Sequence, residues 1–257
     1  MIRKIVKYIL IALLFYCLYV FLDMGIYLVN LALDGLDNDY LLLKNIFFGS
    51  AVILIGIAVG YSKKKPSSFI LNKIKIIDIF TLFLTAFLYR IIIDPIFRFE
   101  EIQYGFSHSI TQEYLNPVFD YNKLLILIYT VLLVPIFEET IFRGYLLNKL
   151  LKVDLTKFTA ITISCILFGL IHYELKQIII TFFLGVFCSS AYLKKGLIGS
   201  VIFHSSYNFI WFILDIKRNE YWAIIEYFNF KIFYWLILVL SMIACWTLWK
   251  HISSNNS

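Results

Sequence analysis

An all-α polytopic membrane bundle of about eight helices is the fold this sequence predicts, and three observations predict it. Of its 257 residues, 61% are hydrophobic and only 16% charged, with a mean hydropathy of +0.83. A water-soluble domain runs nearer half apolar and about a quarter charged, so a soluble globular protein is excluded. Apolar runs recur along the chain, each close to the roughly twenty residues needed to cross the hydrocarbon of a bilayer. Lys and Arg gather in short clusters between those runs, as topology-setting loops do. A lone span must satisfy its own backbone hydrogen bonds, which makes each run a helix.

The runs fall at about 5–33, 41–61, 74–97, 122–148, 157–173, 177–193, 197–215 and 230–249. The first follows Arg3, Lys4 and Lys7, but it continues far past a signal-peptide core and no A-x-A site follows, so an uncleaved span is expected. The second carries Gly56 and Gly60, a small-xxx-small spacing that lets a neighbouring helix approach closely. The third holds Arg90 and Asp94, with Arg98 at its end, spaced i,i+4 as structural or interfacial pairs. A longer connection, about 98–121, mixes aromatics with acids and precedes the fourth. The fifth and sixth are short and parted only by His172 to Lys176, while Lys194 and Lys195 separate the sixth from the seventh. No repeat and no hydrophilic domain interrupts the pattern, so residues 1–257 form one integral membrane domain.

With a cytoplasmic N-terminus, fourteen Lys and Arg residues lie inside: Arg3 to Lys7, Lys63 to Lys75, Lys149 to Lys157, Lys194, Lys195 and Lys250. Seven lie outside, so the bias places both termini in the cytoplasm of a multi-pass cell-membrane protein. The net charge of +6 is thereby a topology signal, and no basic polar surface large enough for nucleic acid is present. Cys17, Cys165, Cys188 and Cys245 all lie in apolar runs without C-x-x-C spacing, which reads as packing. His108 and His251 fall in loop and tail and read as solvated; the Lys63-to-Lys65 run reads as a lipid-touching anchor.

Ionisable groups within spans need a reason, because each Asp, Lys or Arg at a helix centre costs roughly 2.5–3.5 kcal/mol to insert. The fourth span carries three in six residues: Glu138, Glu139 and Arg143. At about 100° per residue, Arg143 lies about 40° from Glu139 and about 140° from Glu138. Glu139 and Arg143 can pair on one face, and Glu138 is left for chemistry. Pro135, just upstream, can kink the helix beside the acids. Phe168 and His172 close the fifth span at i,i+4, and His204 and Asn208 share a face of the seventh. One Glu and two His on three helices suffice for an interior polar site. No H-E-x-x-H occurs, so the common zinc-peptidase helix is absent.

The ordered set E-E-x-x-x-R (Glu138, Glu139, Arg143), F-x-x-x-H (Phe168, His172) and H-x-x-x-N (His204, Asn208) resembles the CPBP family. This group, also called Abi, includes the type II CAAX prenyl proteases and bacterial proteins linked to bacteriocin self-immunity and peptide maturation. The resemblance spans a catalytic core at about 122–215. It implies an intramembrane endopeptidase in which Glu138 and His172 activate water and His204 and Asn208 stabilise the oxyanion. Glu139, Arg143 and Phe168 would support the site. Water activated by Glu and His needs no metal, so no cofactor is expected; a zinc triad of Glu138, His172 and His204 is the alternative donor set. The expected partners are the bilayer and a peptide or protein substrate entering from it.

The richness in Ile, Lys, Asn, Phe and Tyr points to an AT-rich bacterial genome, which favours peptide maturation or bacteriocin immunity over prenyl-protein processing. Two other classes compete: a non-catalytic immunity or binding protein using the same bundle, and a proton-coupled transporter, which the lack of repeats disfavours.

Overall fold

The computed structural model describes residues 1–32, 74–104, 122–172, 174–216 and 239–243. The second span with Gly56 and Gly60, most of the eighth, the connection beyond Tyr104, the Lys63-to-Lys65 run, His108, His251 and Cys245 lie outside them. So do the side chains of Asp94 and Arg98. Among the described residues all regular structure is helical: α1 (Ile2–Ala32), α2 (Ile76–Tyr104), α3 (122–150), α4 (Lys157–Leu170) and α5 (Leu175–Ile216). Four of these, all but α4, are long and apolar enough to cross a membrane.

Helix α5 is the exception to simple counting. Its 42 residues would reach roughly 63 Å if straight, about twice a bilayer core. At Gly196 the backbone turns to φ 71°, ψ −168°, a conformation that glycine adopts without a Cβ clash. The chain folds back there. Phe187 and Phe203 stack with ring centroids 5.5 Å apart, although sixteen residues of straight helix would separate them by about 24 Å. The two arms of α5 therefore match the separate sixth and seventh runs of the sequence.

Helix α3 is not a regular α-helix. Two stretches, Ile128–Leu133 and Thr140–Leu147, are wound as π-helix around the α-helical turns Val134–Glu139. The first ends next to Pro135, whose missing N–H interrupts the i→i−4 ladder. Such wide turns are frequent at functional sites. Helix α4 starts where Thr156 caps it, its Oγ1 accepting from Thr159 N–H at 3.1 Å. It has 14 residues, about 21 Å, and stops at Leu170, so the expected fifth span (157–173) is shorter than a membrane crossing.

Tertiary contacts run from α2 to both arms of α5. Tyr89 donates its hydroxyl to the Ile180 carbonyl at 2.7 Å in the first arm, and Arg90 Nη1 donates to Tyr207 Oη at 2.8 Å in the second. At the start of α2 the Lys75 N–H reaches Asp78 Oδ2 at 2.9 Å, half of a capping box. The other oxygen, Oδ1, pairs with Lys195 Nζ at 3.0 Å beside the Gly196 break. Helix α1 lies along α3 through Tyr19 on Phe137, 4.7 Å between centroids, and a 2.8 Å hydroxyl pair of Tyr19 with Tyr129. The interior is partly polar: Thr85, Ser164, Ser189 and Ser200 are all buried. The outside is apolar, with Phe21, Ile76 and Phe158 exposed. Small polar residues between helices and large apolar ones outward are what a lipid environment selects. Cys165 and Cys188 are buried thiols, as packing residues should be, whereas Cys17 is exposed on α1.

Candidate active site

The polar side chains of α3, α4 and the second arm of α5 converge. Arg143 Nη1 donates to Glu139 Oε1 at 2.8 Å, and both side chains are fully buried. The i,i+4 pair expected from the spacing is therefore present, although the intervening turns are π rather than α. Glu139 does more than balance a cation. His204 Nδ1 lies 2.9 Å from the same Oε1, and Ser200 Oγ donates to Oε2. A carboxylate only accepts, so Nδ1 must carry the proton in that contact. The other ring nitrogen, Nε2, then faces Glu138 Oε2 at 3.8 Å.

Glu138 is 7% exposed, has no direct bond to Arg143, and stands within electrostatic reach of both His204 and His172. The 3.8 Å gap to Nε2 exceeds a hydrogen bond, so the carboxylate is not fixed by the imidazole. His172 lies one residue beyond the C-cap of α4 rather than within the helix, and its Nδ1 contacts the Phe168 carbonyl at 3.1 Å. A carbonyl also only accepts. Both imidazoles thus donate through Nδ1 to an internal acceptor and leave Nε2 for chemistry, an arrangement that fixes ring orientation.

Phe168 is the shared wall of the site. Its ring meets His172 edge-on at 5.5 Å and His204 at 5.8 Å, while Arg143 Cζ lies 4.3 Å from its centroid. Arg143 Nε and Nη2 have no hydrogen-bond acceptor although they are buried. The π-face of Phe168 serves them instead. Asn208 is drawn toward α3: its Nδ2 donates to the Thr130 carbonyl at 2.7 Å, inside the first π-wound stretch. That uses one of its two amide hydrogens.

Sequence reasoning missed Ser200 and the central place of Glu139. Ser200 lies four residues before His204 and eight before Asn208, so a polar stripe at i, i+4, i+8 was its signal. Cys188 was read only as packing, yet its sulfur lies within 4.8 Å of donor atoms of Glu139 and His204.

A family model for the type II CAAX prenyl endopeptidases, Rce1-like, matches residues 120–210, a stretch that contains all three motifs. Those residues are similar to the type II CAAX prenyl endopeptidases, which belong to the CPBP family. No curated protein and no solved structure matches the chain significantly. That similarity, together with apolar helices of membrane-crossing length, supports a membrane protein related to proteases.

Proposed function

We propose that the protein is an intramembrane endopeptidase that hydrolyses a peptide bond with water activated by Glu138 and His172. The observation that carries this reading is the Glu138 carboxylate, not hydrogen-bonded to Arg143 and set 3.8 Å from Nε2 of an imidazole, His204, whose other nitrogen is held by Glu139. Glu138 takes a proton from water as the water oxygen attacks the carbonyl carbon. The resulting oxyanion accepts from Asn208 Nδ2 and from His204 Nε2 when that atom is protonated. Donors held in place within a dry site are worth several kcal/mol at this step. Collapse breaks the C–N bond, and the departing amine takes the proton from Glu138. His172, steered by the Phe168 carbonyl, is the second group that orients the water.

The alternative set Glu138, His172 and His204 has the residue types of a zinc site, but the donor atoms gathered within 4.8 Å of one another among the described residues are those of Glu139, Cys188 and His204. The steps above need no metal. In this reading the chain is a multi-pass cell-membrane protein, and its substrate is a small hydrophobic or leader peptide entering from the bilayer. Bacterial peptide maturation or bacteriocin self-immunity is the setting. The test is cleavage of candidate leader peptides by purified protein in liposomes. Glu138→Ala should accumulate in the membrane and cleave nothing; unchanged cleavage by that variant overturns the proposal.

A further inference from the structure

Glu139 is saturated by donors from two helices. Its Oε1 takes Arg143 from α3 and His204 from α5, and its Oε2 takes Ser200 from one turn earlier on α5. Ser200 is fully buried, and it reaches the carboxylate because the second arm of α5 starts tight against the first. The Gly196 break lies four residues upstream. At Gly199 a Cβ would fall 2.4 Å from Lys195 Cβ and 3.2 Å from the Ala191 carbonyl oxygen, so glycine permits the close approach. Ser200, His204 and Asn208 then form one stripe facing α3, two of them bonded to Glu139 and the third to Thr130.

We propose that Ser200 is a positioning residue: by holding Glu139 Oε2 it fixes the carboxylate rotation that keeps the proton of His204 on Nδ1 and confines proton exchange to Nε2. Without the hydroxyl, the carboxylate loses its strong Oε2 donor and keeps only the weak Cys188 thiol nearby, and it turns to share Oε2 with Arg143 or His204. The Nδ1 proton then loses its fixed acceptor, and the ring samples the other tautomer. Ser200 Oγ is bonded to Glu139 and acts through it, so the loss falls on turnover rather than binding.

The catalytic part of this inference rests on the peptidase reading; the tautomer part does not. The test therefore has two arms, run on the full chain in lipid nanodiscs. In the first, imidazole ¹⁵N spectra of histidine-labelled protein are recorded for wild type, Ser200→Ala and Ser200→Thr, with His204→Gln assigning the resonance. Wild type and Ser200→Thr should show His204 protonated at Nδ1, and Ser200→Ala should show mixed tautomers while the His172 signal stays in place. In the second, a peptide cleaved by wild type is used to measure kcat and KM. Ser200→Ala should lose about 10- to 100-fold in kcat with KM unchanged, the range for removing a partner that orients an active imidazole, and Ser200→Thr should recover most of it. An unaltered His204 spectrum in Ser200→Ala overturns the proposal, as does Ser200→Thr behaving like Ser200→Ala, which would assign the effect to packing. A spectral change in a protein that cleaves no peptide leaves Ser200 as the positioning residue and removes the peptidase reading instead.

Discussion

Glu139 holds His204 by Nδ1 at 2.9 Å, so the acid that spacing assigns to an ion pair also orients an imidazole. The two roles are separable. Breaking a buried pair by removing one partner leaves an uncompensated charge and costs about 3–5 kcal/mol, whereas replacing both partners by apolar groups can be close to neutral. Glu139→Gln should lower the thermal midpoint in detergent sharply, since Arg143 then has no carboxylate. The double variant Glu139→Leu, Arg143→Met should recover much of that midpoint yet stay inactive, because His204 Nδ1 has lost its acceptor. Activity returning together with stability would show that the pair is structural only.

Asn208 has committed one amide hydrogen to Thr130 and keeps the second. If that second hydrogen meets the oxyanion, Asn208→Ala should reduce kcat by about 10²- to 10³-fold, the usual effect of deleting one such donor, with little change in KM. Steady-state kinetics on any cleaved peptide decide it. A raised KM at normal kcat would instead make Asn208 a substrate-binding side chain.

What could be read from sequence here was what helical spacing encodes. Glu139 and Arg143 are four apart, as are Phe168 and His172, and His204 and Asn208, so each pairing follows from periodicity alone. Contacts between helices carry no such signature. Nothing in the sequence sets Ser200, sixty-one residues from Glu139, against its carboxylate, or Asp78 against Lys195. The π-wound turns of α3 were equally hidden, because an i→i+5 ladder uses the same apolar residues as an i→i+4 ladder and only Pro135 hints at a break. The end of α4 was misjudged for a related reason. Ile171 continues the apolar pattern, but the His172 N–H closes a tight turn on the Gly169 carbonyl at 2.9 Å.

Glycine positions give a stability test with an internal control. At Gly185 a Cβ would lie 2.9 Å from Arg143 Nη2 and 3.3 Å from both Cys165 Sγ and Phe168 Cδ1, whereas at Gly25 nothing lies within 4 Å. Gly185→Ala should push the guanidinium off Glu139 or off the Phe168 ring, lowering stability by about 1–3 kcal/mol as overpacking does, and lowering activity with it. Gly25→Ala should be neutral or slightly stabilising, since alanine is favoured over glycine in a helix by up to about 1 kcal/mol. Thermal unfolding of both variants in the same detergent makes the comparison; equal midpoints would mean that α5 does not pack on Arg143 as described.

Metal dependence can be tested at two donor sets with different expectations. Glu139, Cys188 and His204 present donor atoms within 4.8 Å of one another, a spacing that could hold an ion. Arg143 opposes it. A divalent cation about 5 Å from a guanidinium would meet roughly 7 kcal/mol of repulsion at an effective dielectric near 20, and the pair at 2.8 Å already uses the carboxylate. Cys188→Ala should therefore leave metal content and activity as they are. Glu138, His172 and His204 make no hydrogen bond to Arg143, and chelation decides that case. If water is activated by Glu138 and His172 alone, cleavage should survive exhaustive dialysis against chelator, with metal well below one ion per chain by elemental analysis. Loss of cleavage on chelation, restored by zinc in wild type but not in His172→Ala, would replace the proton-transfer reading with a metal-bound water on the same three side chains.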